Sequence, residues 1–358
     1  MIIYFKIKNI IKRLYNNIIR NFFFLIYGKV FFIKHNPELI SKTIINIDKF
    51  QYKIYRIKNA RVFTNYVESL AVISNKSIIK EVSFQQINGK LYKNKNEVLF
   101  SGTPKLLKKF SGKIFVLTQG ASGHFNYAHW LFDIVPKIKL FSSKNKLSDI
   151  DYFYFSKITK FQKETLKYFG IDPKKIINSD KYRHVQAKFV FAITHPNYFK
   201  NTIFEAHSNL PKWIVKFLRN FLLKKIKKRF NFKNIYIDRS DSTQFHCKPI
   251  NNKEIIKFLK YRNFKILRLS DYSLIDQVSI FNNCKKIIAP HGAGLANITF
   301  CKKGTKVLEL IPSDHPNRVY KRISNINKLR YKLLNFKKIK NNQNGDMIVD
   351  LNILKKYV

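Results

Sequence analysis

Four stretches of this 358-residue sequence gather residue types that grip anions or move protons. The first is Asp238-Arg239-Ser240-Asp241-Ser242, directly after the apolar pair Tyr236-Ile237. An arginine at a strand end can fork onto a diphosphate and stays charged at any relevant pH; a structural ion pair with Asp238 or Asp241 is the competing reading. The second is Pro290-His291-Gly292-Ala293-Gly294-Leu295-Ala296-Asn297, after the run Ile287–Ala289. A strand, a glycine-containing turn and a helix opening at Leu295 together offer backbone N–H groups to an anion. His291 can hydrogen-bond a phosphate oxygen, Gly292 and Gly294 admit a ligand close to the backbone around Ala293, and Asn297 lies one turn in. An ordinary strand-to-helix turn has the same pattern. The third, Ile311 to Arg318 (IPSDHPNR), follows a strand-like run containing Glu309. An unpaired buried carboxylate is costly, so Glu309 calls for a partner, either a ribose with its paired hydroxyls or a lysine.

The fourth stretch, Gly120 to Ile138, reads GASGHFNYAHWLFDIVPKI. His129 and Asp133 stand at i and i+4, which puts both on one face of a helix, with Trp130 beside them and Leu131, Ile134 and Val135 facing a core. A His–carboxylate pair suits proton transfer from a hydroxyl; a surface ion pair fits the spacing too. Lys248 can add charge near Arg239, and Asn251 or Asn252 fits the N-cap of a helix starting near Lys253.

These residues need strands and helices to hold them. Short apolar runs alternate with longer mixed segments, the pattern of βαβ units. Strands are expected at Lys113–Thr118, Tyr152–Phe155, Lys188–Ile193, Asn234–Ile237, Lys265–Leu269, Lys286–Ala289 and Lys306–Leu310. Helices are expected at Ala128–Phe141, Lys160–Phe169, Lys253–Tyr261, Leu274–Asn282 and Leu295–Thr299, with one long basic helix over Pro211–Phe232. Residues 35–112 read as β-rich. The organisation expected is a basic N-terminal segment (1–34), an α/β domain (35–215) and a nucleotide-binding α/β domain (216–358), where ligands collect beyond the carboxyl ends of the strands.

Composition narrows the partners. Lys and Arg number 69 against 21 Asp and Glu, a formal charge of +48. Most are lysines spread along the chain amid abundant Asn, Ile and Phe, a bias that AT-rich coding alone produces. The charge favours anionic partners, while no compact Arg/Lys tract interleaved with aromatics traces a nucleic-acid groove. Cys247, Cys284 and Cys301 form no CxxC, and a reducing compartment fits. The longest N-terminal apolar run, Phe22–Tyr27, is too short for a bilayer span, and no signal-peptide cleavage pattern follows. Within residues 1–20 a helical rhythm sets apolar positions against Lys6, Lys8, Lys12, Arg13 and Arg20. Such a helix can lie on an anionic membrane surface or pack on the protein. Asp149-Ile150-Asp151 precedes its strand, so it reads as a loop and not as a metal-binding DxD.

The segments GHFNYAHWLFDIVPKI, YIDRSDS with INNKEI, SLIDQVSIF and IIAPHGAGLANITF with GTKVLELIP, in this order between about Gly120 and Pro312, resemble the family-61 glycosyltransferases, including bacterial capsular-polysaccharide enzymes. The resemblance implies a GT-B architecture: two Rossmann-like domains facing a cleft. It also implies a nucleotide-sugar donor, a glycan or lipid-linked saccharide acceptor, inversion at the anomeric carbon, and neither cofactor nor essential metal. Arg239, Lys248 and the turn His291-Gly292-Ala293-Gly294 with Asn297 then fall on the donor side, with Glu309 near the nucleoside. His129 and Asp133 match the motif that deprotonates the acceptor hydroxyl, and His124, Asn126 and Trp130 lie on the acceptor side. Two positions depart from the family: Asp238-Arg239 replaces the usual Ser-Arg, and His246-Cys247-Lys248 stands where a second arginine is common. The other function class open to this composition is a non-catalytic binder of nucleic acid or a polysaccharide-assembly partner. The basic, greasy N-terminus and the lysine excess lead to the expectation of a cytoplasmic protein, peripheral on the inner face of the cytoplasmic membrane.

Overall fold

The computed structural model describes residues 2–32, 37–65, 69–92, 94–118, 126–156, 158–241, 247–313, 315–316, 318–339 and 345–358. The fold is mixed α/β with two sheets. Contacts divide the chain into two units, residues 1–125, 133–159 and 166–196 in one, and 126–132, 160–165 and 197–358 in the other.

The first unit opens with helix α1 (Ile2–Tyr27). Ile7, Ile11, Leu14, Ile18, Phe22 and Leu25 recur at helical spacing and all are exposed. The helix stops at Gly28, whose φ of 73° suits glycine and whose N–H donates to the Phe24 carbonyl at 2.9 Å. Its last turns are the part that packs: Phe23 is buried, and the Tyr27 hydroxyl accepts the Leu107 N–H at 3.0 Å. Among the described residues no helix is long and apolar enough to cross a membrane.

Among the described residues eleven strands follow: β1 (Ile40–Ile47), β2 (Phe50–Lys58), β3 (Arg61–Asn65), β4 (Ser69–Ser74), β5 (Ser77–Ile78), β6 (Phe84–Ile87), β7 (Lys90–Tyr92), β8 (Leu107–Val116), β9 (Tyr152–Phe155), β10 (Ile176–Asn178) and β11 (His184–Ile193). The sheet runs β10-β9-β8-β11-β3-β4-β6-β7, with β1, β2 and β5 attached. Its pairing changes along that path: β10, β9, β8 and β11 are parallel, and the rest are antiparallel. The antiparallel part exists because Asp48, Asn59, Asn75 and Asn88 adopt left-handed φ values, which short residues of this type tolerate in tight hairpin turns. The parallel part is fed by the helices Val135–Ser142 and Lys160–Tyr168, the crossovers that parallel pairing needs. The strand expected at Lys113–Thr118 starts earlier, at Leu107.

The second unit carries a wholly parallel sheet of β12 (Asn234–Ile237), β13 (Lys265–Leu267), β14 (Lys286–Pro290), β15 (Lys306–Pro312) and β16 (Arg330–Phe336), in the order β13-β12-β14-β15-β16. The chain therefore begins mid-sheet and reverses direction between β12 and β14. Tyr236, Ile288, Leu308, Leu310 and Leu334 from the strands pack with Ile255 and Leu259 of the helix Asn252–Tyr261. The long helix expected over Pro211–Phe232 ends at Leu223. Lys224, Lys225, Lys227, Lys228 and Arg229 follow, and so many like charges in one turn and a half repel one another. The helix expected at Leu295–Thr299 is a 3₁₀ helix over Ala293–Phe300.

Candidate functional site

In a parallel sheet ordered this way, ligands lie beyond the carboxyl ends of the strands, where the order reverses. Arg239 leaves the end of β12 and the His291 turn leaves the end of β14, one on each side of that point. The Arg239 guanidinium lies across the turn and donates to the His291 carbonyl. A Cβ on Gly292 would sit 2.6 Å from the guanidinium carbon and 2.7 Å from Nε, so no larger residue fits without moving Arg239. The backbone of Gly292 is extended, with φ 163°; close approach, not conformation, requires the glycine. The Gly292 carbonyl accepts the Tyr320 hydroxyl at 2.6 Å. Ala293 and Gly294 open the 3₁₀ helix, whose first amides lack an intrahelical acceptor. At Gly294 a Cβ would meet a methyl of Leu269 at 2.7 Å and one of Ile237 at 3.6 Å.

Glu309, in the middle of β15, is 1% exposed. Its protein partners are a histidine and a tyrosine, not the lysine considered above: one carboxylate oxygen meets His291 Nδ1 and the other accepts the Tyr331 hydroxyl from β16. Burial and then the adjacent carboxylate raise the Tyr331 hydroxyl far above its ordinary range, which keeps it a donor. The His315 ring packs 4.3 Å from that of His291, so the third sequence segment converges on the second. Asp238 accepts from Ser240 N–H at 3.1 Å, Ser240 Oγ at 2.8 Å and Asn252 Nδ2 at 2.9 Å. Asp241 accepts the Ser270 N–H at 3.1 Å. Cys247 is buried near Arg239; burial pushes its thiol up to about 12, against the pull of that guanidinium.

Other positions resolve differently. Asn297 is buried, accepts the Tyr127 hydroxyl at 2.7 Å and donates to Gln277 at 2.9 Å and to the Gly294 carbonyl at 3.2 Å. It latches residues 126–132 to the 3₁₀ helix. Lys248 is exposed. Asn251 occupies the N-cap position of its helix but caps nothing with its side chain. Instead it donates to the Val349 carbonyl at 2.8 Å and accepts the Val349 N–H at 3.1 Å. Asn252 links Tyr236 to Asp238.

His124 lies outside the described residues. Asn126 caps the following turn by accepting the Ala128 and His129 N–H groups at 3.0 and 3.2 Å. Trp130 is fully buried and its indole N–H donates to Thr165 at 3.1 Å, which makes it a core residue. Residues 130–134 form a π turn, not the regular α-helix that the spacing of His129 and Asp133 suggests. Pro136 explains it: proline lacks an N–H and clashes with the carbonyl four residues back, so the preceding turn widens. Asp133 within that turn is fully buried. One turn on, Lys137 is buried too; desolvation pulls its ammonium well below the ordinary lysine range, and Asp133 opposes that shift. His129 is half-buried, its ring 4.8 Å from that of His207. The two imidazoles could hold a divalent cation between them. His207, Tyr320 and Tyr331 have no signature in the sequence, because only folding brings them to the motifs.

Arg239 and the His291 turn thus flank the switch point of a parallel sheet, the place where such sheets receive ligands. Residues 127–308, half of the chain, match the family described as Glycosyltransferase 61, and the chain belongs to that family; it is a glycosyltransferase. No curated protein sequence matches it. Among solved structures, a mutant flavo di-iron protein from Thermotoga maritima aligns with 10% identity over 88% of this chain and 96% of its own, at a TM-score of 0.25. A similarity that weak bears on neither fold nor function.

Proposed function

We propose that this glycosyltransferase moves a sugar from a nucleotide-sugar donor to a glycan or lipid-linked glycan in surface-polysaccharide synthesis, inverting the anomeric carbon without an essential metal. The observation that carries the reading is the Arg239 guanidinium lying over Gly292 beside the His291 turn. As the bond between the anomeric carbon and the diphosphate oxygen breaks, negative charge grows on the leaving group. Arg239, His291 and the first amides of the 3₁₀ helix stabilise it there, with Lys248 adding charge from solvent. Glu309 acts through His291, fixing the orientation and tautomer of its ring. On the acceptor side Asp133, assisted by His129, takes the hydroxyl proton as the new bond from oxygen to the anomeric carbon forms on the opposite face. The two-domain GT-B architecture and peripheral attachment to the inner membrane face through α1 complete the proposal.

A thermal-shift screen across nucleotide-sugars tests the donor reading, because a ligand of the native state raises its melting temperature. The cognate donor is expected to stabilise the wild type and not Arg239→Ala. Asp133→Asn is expected to keep the donor-induced shift and lose transfer by roughly a hundredfold or more. Turnover unchanged in that variant would remove Asp133 from the role, and loss of transfer with a chelator, restored by a divalent cation, would place an ion at His129 and His207.

A further inference from the structure

Beside the last turn of α1, the first unit contains a recess of about 600 Å³ that plays no part in the transfer chemistry. Strand register builds its floor. Gln186 on β11 stands opposite Lys109 on β8 and Arg61 on β3, so the three side chains rise from one face of the sheet in a row. The turns at Asn59 and Asn75 bring Lys58 and Lys76 to the rim. Among the described residues, four cations therefore line the recess and no acid does.

Arg61 is the telling member. It is 8% exposed, yet among the described residues no carboxylate lies within ion-pair distance of it. Its guanidinium donates to the Asn75 carbonyl at 3.4 Å and stands 5.9 Å from the Tyr27 ring centroid. A guanidinium carries five donors, and a buried one without a counter-ion is costly. Desolvation accordingly weakens its hold on its proton. A bound anion would supply the missing charge.

We propose that this recess binds a phosphate ester, with Arg61 forking onto the phosphate and Lys109, Lys58 and Lys76 completing the charge. The ester's organic part would meet Ile26, Leu39 and Leu107, which also line the recess. The same chemistry occurs on a membrane phospholipid and on a soluble phosphorylated metabolite. The neighbouring Leu25 and Leu106 are 88% and 78% exposed, an apolar lip continuous with α1.

The full-length protein is tested with glycerol 1-phosphate by thermal shift, and with phosphatidylglycerol vesicles against phosphatidylcholine vesicles by sedimentation at low salt. Arg61→Met is expected to abolish the glycerol-phosphate shift while melting no lower than the wild type without ligand, because it removes an uncompensated buried charge. Lys109→Gln should weaken the response by about tenfold, as for loss of one charge-assisted contact. Lys257→Gln, on the second unit, should leave it intact, and so should Arg239→Ala, which separates this site from the donor site. Vesicle binding that falls with Arg61→Met identifies a lipid headgroup as the source; a loss confined to glycerol 1-phosphate identifies a soluble ester. A wild type that responds to neither probe, a response that survives in Arg61→Met, or one that falls equally in Lys257→Gln overturns the proposal. If Arg61→Met does not fold, Lys109→Gln against Lys257→Gln decides.

Discussion

At Gly292 a single added carbon would collide with the Arg239 guanidinium at 2.6 Å. Arg239 is held by the His291 carbonyl on the same turn, so it would have to leave that carbonyl to make room. Gly292→Ala is therefore expected to raise the donor KM by about tenfold or more, with the melting temperature little changed; an unchanged KM would show that Arg239 acts from another position. His184 supports a prediction of a different kind. It is fully buried against the edges of Tyr27 and Phe63, with Nδ1 at 3.0 Å from the Lys105 carbonyl. Burial lowers its pKa from 6.5 to about 4, the carbonyl partly opposing and Arg61 adding to the shift. Between those values the unfolded chain binds the extra proton. The stabilisation is thus complete above pH 6.5 and is lost as the pH falls toward 4, by up to about 3 kcal/mol. His184→Gln should flatten the acid limb of a denaturation-midpoint-against-pH curve; a limb of unchanged slope would assign the acid sensitivity to other groups.

Among the elements, the C-terminal segment depends on one side chain. Asn251 pairs with both backbone groups of Val349 as a strand would, and Val349 and Leu354 belong to the core of the second unit. Asn251→Ala should cost about 1–3 kcal/mol by denaturant unfolding and expose the last residues to proteolysis; native stability would make the clamp dispensable. This contact was not legible in the sequence, where an asparagine before a helix reads as an N-cap. Much else was. The strand Asn234–Ile237 has the expected bounds, and β14 and β15 lie within two residues of theirs, because fully buried parallel strands are continuous apolar runs. The strand Arg330–Phe336 escaped notice because charges interrupt its apolar positions, as an edge strand allows. The π turn had a signal in Pro136, but the i,i+4 spacing of His129 and Asp133 suggested an unbroken α-helix. The glycine turn and Arg239 were readable by type and position. Tyr331, the partner of Glu309, was not, since β16 brings it there from 22 residues away.

For the whole molecule, the proposed attachment to an anionic lipid surface would use a charge of +48 and the exposed apolar stripe on α1. Deleting residues 1–34 should move the protein from the membrane pellet to the soluble fraction at low salt; identical partitioning of both forms would place the attachment elsewhere or remove it. The division of the chain carries another consequence. Residues 126–132 and 160–165 belong to the second unit although the first unit surrounds them in sequence. Trp130 bonds Thr165, and Tyr127 bonds Asn297, inside that second unit. A fragment starting at Asn197 would thus lack the pieces that complete its own interior, and a gene cut at that point would yield halves able to assemble only in each other's presence.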